Sequence, residues 1–258
     1  MTSLSERIGT YETVYDFKLT NRVPVIIRID GVGFSKYTKK IKAQKPFDSN
    51  LSEAMVYATQ QTAEHLEGCV FAYTQSDEAS FVLLNDQSKE SQPWLGNRLQ
   101  KIVSITSSIF TVHFAAIMSG LPVAYFDART FIVPDYTEAM NYLQLRQQDC
   151  VRNSIQLASY YGLAGKLGKK TALKLLHGLN TKQQQEVLFQ NAKINWNDYP
   201  AKFKRGVGVY KETREIERDG NKITRHFWKV DEDLPEFNSN KELLIKIFKR
   251  YNGLVAVI

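Results

Sequence analysis

Asp30 closes VPVIIRID (Val23–Asp30), whose short apolar, β-branched run comes after Pro24. An acid at the end of a buried run costs free energy unless a charged partner meets it. Asp77 and Glu78, preceded by Ser76, lie at the polar junction of two more apolar runs, CVFAYTQ (Cys69–Gln75) and EASFVLL (Glu78–Leu84). Carboxylates from two adjacent strands can hold a pair of magnesium ions roughly 3.5–4 Å apart, one at the attacking and one at the leaving oxygen of a phosphoryl transfer. Magnesium takes oxygen ligands and keeps waters and substrate phosphates in its shell, so two or three carboxylates suffice. Immediately after Asp30, GVGFS (Gly31–Ser35) offers backbone N–H groups that a triphosphate could approach. By itself a Gly-x-Gly is an ordinary turn; beside a metal-binding acid it reads as a phosphate loop. Of Lys36, Lys39, Lys40, Lys42 and Lys45, most form a solvated face, and Lys45 beside Pro46 is the one assigned to phosphate charge.

Other chemistries find little support. His65, His113, His177 and His226 lie far apart in the chain without a zinc spacing, and each is expected to be a surface or satisfied core residue. Cys69 and Cys150 cannot build a disulfide framework and read as small buried hydrophobes. There is no Walker-type glycine loop and no nucleophile-elbow serine.

The acids need a scaffold that brings strand ends together. Leu4, Ile8, Tyr11, Tyr15 and Leu19 predict an amphipathic helix over 4–19. Val23–Asp30 is a strand. Asp48 or Ser49 caps a helix whose face is Leu51, Met55, Ala58, Thr62 and Leu66, ended by Gly68. Two strands follow, joined by the turn at Ser76–Asp77. Leu99, Ile102, Val103, Thr106, Phe110, Phe114 and Ile117 mark a second helix, and Pro122–Val133 a further strand. Strand, helix, strand, strand, helix, strand is the ferredoxin-like βαββαβ order, also that of polymerase palms. Its first and third strands are central, which places Asp30 and the Ser76–Glu78 turn at one end of the sheet. The fold class is α+β, with a palm-like core over 1–134 and a helical and β-hairpin extension over 135–258. In the extension we expect a long helix over 135–161, a glycine-rich turn over 162–168, helices over 170–177 and 181–191, a hairpin over 207–230 turning at Asp219-Gly220-Asn221, and a short terminal helix around Leu243–Phe248.

Charge divides along the same line. Residues 1–150 carry a net −2 and residues 151–258 a net +9, within a total of +7. That division predicts chemistry in the first part and polyanion binding in the second, with Arg152, Asn153, Lys169, Lys170, Lys204 and Arg205 as candidate RNA contacts. With 43% apolar residues, no membrane-length apolar run and no signal-like N-terminus, a cytoplasmic protein without membrane contact is expected.

RIDG (Arg28–Gly31), KPFD (Lys45–Asp48), YTQSDE (Tyr73–Glu78), FDAR (Phe126–Arg129), LRQQDC (Leu145–Cys150), EVLF (Glu186–Phe189), INWND (Ile194–Asp198) and KRGVGV (Lys204–Val209) together resemble the motif series of the tRNA-His guanylyltransferase family of 3′–5′ polymerases. The resemblance implies a palm fold, in a homotetramer, that adds nucleotides to the 5′ end of tRNA. GTP or another nucleoside triphosphate is the substrate, and ATP activates a 5′-monophosphate. It implies Asp30, Asp77 and the Gly31 carbonyl as ligands of two magnesium ions, and Asp30, Gly31, Val32, Gly33, Phe34, Ser35, Ser76 and Asp77 as nucleotide contacts. Lys45 matches the catalytic lysine and Glu78 the acid beside the metals.

One stretch departs from the pattern. Where enzymes acting on tRNA-His carry HINNLYN, this chain has VRNSIQL (Val151–Leu157), with Val151 in the histidine place and Asn153 retained beside Arg152. Before EVLF, Gln184 takes the place of an expected lysine, with Lys182 nearby. The resemblance is therefore to the guanylyltransferase-like branch, which repairs 5′-truncated tRNA by template-dependent 3′–5′ addition. The alternatives are a tRNA-His guanylyltransferase adding G at position −1, a palm-type nucleotide cyclase, and a non-catalytic RNA-binding module. The basic second part disfavours the cyclase, and the intact acids disfavour the RNA-binding module.

Overall fold

A computed structural model describes residues 3–218 and 221–251. The helices are α1 (Leu4–Thr13), α2 (Phe34–Lys40), α3 (Ser49–His65), α4 (Leu99–Ile117), α5 (Tyr136–Leu167), α6 (Lys169–Leu176), α7 (Thr181–Ala192), α8 (Ala201–Arg205) and α9 (Glu242–Tyr251). The strands are β1 (Val25–Gly31), β2 (Cys69–Gln75), β3 (Glu78–Leu83), β4 (Phe126–Ile132), β5 (Val207–Arg218) and β6 (Asn221–Asp231). They form one antiparallel sheet in the order β4-β1-β3-β2-β5-β6. The first four strands with α3 and α4 are the expected βαββαβ core, and β1 and β3 are neighbours as that order requires.

Alternation along β1 builds two cores. Val25, Ile27 and Ile29 face α3 and α4, packing with Met55, Ala58, Ile102, Phe110 and Phe114. Ile26, between them, faces the other side with Val82, Leu143, Phe237 and Leu244. Burying each large side chain contributes about 1.5–3 kcal/mol, so this two-sided register is strongly specified; a one-residue slip would put Arg28 and Asp30 under the helices. Asp48 caps α3 as expected, its carboxylate accepting from the Leu51 N–H at 2.9 Å.

Four sequence expectations change. The N-terminal helix stops at Thr13 rather than Leu19, because the chain turns into extended pairing: Leu19 N–H donates to Asn97 O, and Leu99 N–H to Phe17 O, both at 2.9 Å. Leu4, Ile8, Tyr11 and Tyr15 are exposed. GVGFS is not wholly loop: Gly33, left-handed at φ 62°, starts α2, and Phe34 buries against Phe114 and Phe126. The glycine-rich 162–168 stretch is no turn. The long helix α5 continues through it to Leu167, since Gly162 lets α7 come close; a Cβ there would lie 2.7 Å from Leu188 Cδ1. Finally, the β5–β6 hairpin is a continuation of the palm sheet, paired to β2 through Phe71↔Tyr210 and Thr74↔Val207. Its expected turn residues Asp219 and Gly220 lie outside the described residues.

Candidate active site

The register places Asp30 opposite Glu78 on β3 and opposite Asp127 on β4. Three acids from three adjacent strands thus share one row on the face away from α3 and α4. Like charges directly opposite one another destabilise a sheet, so compensation must come along the diagonals. It does, in part: Arg28, two residues before Asp30 and on the same face, reaches Glu78 at 2.5 Å and Asp30 at 3.9 Å, while Arg129 reaches Asp30 at 3.9 Å. Arg146 of α5 approaches Glu78 at 3.3 Å from above.

Asp77 joins this row through the backbone. The β2–β3 turn holds Ser76 at φ 52°, and Gly31 N–H donates across to Asp77 O at 3.0 Å. Ser76 Oγ donates to Asp77 Oδ1 at 3.0 Å. Burial pushes the Asp77 carboxyl above its ordinary range, with the Asp30 charge adding to the rise. Burial also raises Glu78, while Arg28 and Arg146 pull it back. Glycine is required at 31 because Phe34 folds back over it; a Cβ would stand 2.4 Å from Phe34 Cδ2.

The donor set suits a hard cation. Asp77 is desolvated and repelled by the charge of Asp30, which a bound dication would relieve. Among the described residues no group of three or more acidic, histidine or cysteine side chains forms a ready cage. Two carboxylates with the Gly31 carbonyl would leave the remaining positions of a magnesium shell to water and phosphate.

Beside the acid row, a pocket of about 140 Å³ opens between the palm and α5 and α8. Phe34, Lys45, Asp48 and Ser76 line one side; Cys150, Asn153, Leu157 and Phe203 line the other. Lys45 is at this pocket with its Nζ 5.6 Å from the Tyr161 ring, rather than in the acid row. Gly33 and Ser35 are exposed at the start of α2, as is Val32.

The fold also gathers residues that sequence reasoning missed. Arg28 and Asp127 sat inside the motifs RIDG and FDAR, and Arg146 inside LRQQDC, yet their convergence on Glu78 and Asp30 follows only from strand register and the path of α5. The histidines are not all apart either: His65 and His113 lie side by side on α3 and α4, with ring centroids 5.6 Å apart and planes tilted by 44°.

The family-model comparison covers nearly the described chain. The model for tRNAHis guanylyltransferase matches residues 5–134, and the one for the Thg1 C terminal domain matches residues 137–247. This chain belongs to the tRNA-His guanylyltransferase family. It is accordingly a nucleotidyltransferase. A probable tRNA(His) guanylyltransferase of Bos taurus is 30% identical over 80% of this chain and 72% of its own length. A tRNA(His) guanylyltransferase of Schizosaccharomyces pombe is 33% identical over 70% of this chain and 71% of its own. A bacterial tRNA(HIS) guanylyltransferase (Thg1)-like protein, solved in complex with ATP, superposes with a TM-score of 0.81 at 34% identity, covering 95% of this chain and 99% of that one. The same kind of protein in complex with GTP gives 0.79.

Among the basic residues of the extension, the structure separates exposed cations from engaged ones. Lys169 and Lys170 are exposed at the start of α6. Arg152 is exposed and paired to Asp149 at 2.6 Å, next to exposed Asn153. Lys204 instead donates to Asn197 O and lies over Trp196, and Arg205 donates to Leu234 O at 2.7 Å and to Asp233 at 2.8 Å. These last two hold the extension together, which makes them poorer phosphate ligands than their charge alone predicts. Gln184 is buried, its amide donating to Leu179 O at 3.0 Å, while Lys182 stays exposed. No described helix is long and apolar enough to cross a membrane.

Proposed function

We propose that this family member repairs 5′-truncated tRNA by template-dependent 3′–5′ nucleotide addition. The observation that carries the proposal is Val151: it lies half-buried on α5, between Cys150 and Asn153 of the pocket wall in sequence, and offers no polar group where the HINNLYN histidine would stand. Selectivity then has to come from elsewhere, and a template base can supply it, because a mispaired nucleotide leaves polar groups unmatched in a desolvated site. Likeness to the bacterial guanylyltransferase-like protein over almost the whole chain supports the same reading, and the ATP and GTP in those complexes support nucleoside triphosphates as substrates here.

In this proposal Asp30, Asp77 and the Gly31 carbonyl would hold two magnesium ions, whose chemistry would be to activate a 3′-hydroxyl and offset charge on the leaving oxygens. The exposed backbone at Gly33–Ser35 and the Ser76 hydroxyl orient the triphosphate. Lys45 supplies positive charge at the pocket mouth, and the apolar walls of Phe34, Leu157 and Phe203 receive a base and exclude water. Exposed Lys169, Lys170 and Arg152 meet RNA phosphates. A homotetramer belongs to the same proposal, supported by the exposed apolar residues of α1.

The test offers truncated tRNA transcripts whose opposite base is C, G, A or U, with magnesium and each labelled nucleoside triphosphate in turn, in competition with intact tRNA-His. Repair predicts incorporation that follows the opposite base and a preference for the truncated substrate. The second reading, G addition to tRNA-His, draws on the curated relatives near 30% identity. It predicts G entering opposite all four bases, with intact tRNA-His preferred.

A further inference from the structure

Glu78 is the acid of the row with the least freedom. Its residue is 6% exposed, and its Oε2 receives Arg28 Nη2 at 2.5 Å and Arg146 Nη1 at 3.3 Å, while Oε1 has Arg146 at 3.5 Å. A dication brought to this carboxylate would have to displace a guanidinium. Arg146 is held in turn by Asp149 at 2.5 Å, which also pairs with Arg152. A line of alternating charges therefore runs from the surface of α5 down to β1, ending on Arg28.

Arg28 is the member with a choice. The same Nη2 that bonds Glu78 lies 3.9 Å from Asp30 Oδ2, and the Arg28 Nε is buried with no hydrogen-bond partner. Its side chain is 23% exposed, so it cannot leave for solvent without giving up its packing on the strand. Without Glu78, a confined guanidinium with an unsatisfied donor would have Asp30 as its next carboxylate. A bidentate arginine on Asp30 would occupy the lone pairs a cation needs.

We propose that Glu78 is a positioning residue that, braced by Arg146, holds Arg28 away from Asp30 and so keeps Asp30 open for the metal. This rests on the reading of Asp30 and Asp77 as metal ligands. It assigns Glu78 no direct metal bond, and it explains why an acid that is already ion-paired occupies the position opposite Asp30.

The experiment is a double-mutant cycle on Mn²⁺ binding, followed by electron paramagnetic resonance of the free ion on the whole chain, with folding checked by circular dichroism. Glu78→Gln should weaken Mn²⁺ binding by about tenfold, and Glu78→Gln in an Arg28→Met background should weaken it by less than about threefold relative to Arg28→Met alone. Arg28→Met by itself should bind Mn²⁺ at least as tightly as the wild type, an outcome that stays informative if Glu78→Gln does not fold. A loss of equal size in both backgrounds makes Glu78 a ligand and overturns the proposal, as does weakened binding in Arg28→Met or an unaffected Glu78→Gln. Asp30→Asn separates the two levels: if it binds Mn²⁺ like the wild type, the metal reading itself falls and the proposal with it.

Discussion

At the Asp30 end of the sheet, acids from three neighbouring strands and the Asp77 turn share two guanidinium groups from the strands and one from α5. In residues 151–258 the excess charge is positive, yet several of its cations are tied to the chain's own acceptors: Arg205 to Leu234 O and Asp233, Lys202 to Glu232, and Lys229 to Glu212 and Asp231. The first region keeps acidic charge crowded and undercompensated, a cost in stability that a bound cation would offset. The second uses Lys202 and Arg205 of α8 to hold the segment that follows β6, and Lys229 to join β6 to β5. A count of charges describes neither; what matters is which charges still lack a partner once the chain is folded.

The sharpest way to break this contrast is at the acids. Asp30→Asn and Asp77→Asn should each lower nucleotide addition by at least about 10³-fold while the chain stays folded, since a metal ligand is worth several kcal/mol of transition-state stabilisation. Single-turnover extension assays with circular dichroism on the same samples decide it. Activity within tenfold of wild type would put the chemistry elsewhere.

On the basic side, packing and binding should separate. Gly162→Ala improves helix propensity, but its Cβ would press on Leu188, so a net destabilisation of about 1–3 kcal/mol is expected in urea unfolding. A gain in stability would mean that α7 can shift, and that the α5–α7 contact is looser than it looks.

Arg205→Met and the pair Lys169→Gln, Lys170→Gln should then differ in kind. Arg205→Met should cost about 1 kcal/mol of stability and leave the salt dependence of tRNA binding nearly intact. The lysine pair should leave stability within about 0.5 kcal/mol and reduce the slope of log K against log salt by roughly 2. Filter binding across a salt series distinguishes them, and the reverse pattern would make Arg205 a phosphate ligand after all.

The smallest effect returns to the acid row. Asp77 has its folded-state pKa raised, chiefly by burial, so its ionisation opposes folding. The stability associated with its protonated form is fully present below the unfolded-state pKa and is lost as pH rises through the raised value. Metal-free Asp77→Asn should therefore melt above wild type at neutral pH, with the difference vanishing in acid below the ordinary aspartate range. An equal or lower melting temperature at neutral pH would show that Asp77 is not strained by its surroundings.

Legibility in the sequence tracked the range of the interaction. The β2–β3 hairpin was readable because apolar strands flank a short polar turn, and α3 because Asp48 and a clean apolar face are local signals. The end of α1 was not, since Leu19 and Leu99 pair with backbone contributed by each other's segments. Continuation of α5 was hidden for a similar reason: three glycines in one stretch read as a turn, and only the approach of Leu188 from α7 gives Gly162 its place. The pairing of His65 with His113, 48 positions apart by their residue numbers, had no local trace at all.

By itself the sequence determined the βαββαβ order, the family, and the identity of Asp30 and the Ser76–Glu78 turn as neighbours at one sheet end, because period, capping and turn chemistry are properties of short segments. Only the tertiary structure decided what each acid faces. Strand register set Asp30 between Glu78 and Asp127, the path of α5 delivered Arg146 to Glu78, and a 2.5 Å contact against a 3.9 Å one determined which carboxylate Arg28 serves. Those distances depend on how strands and helices pack across the molecule, and electrostatic energy changes steeply at that range once water is excluded.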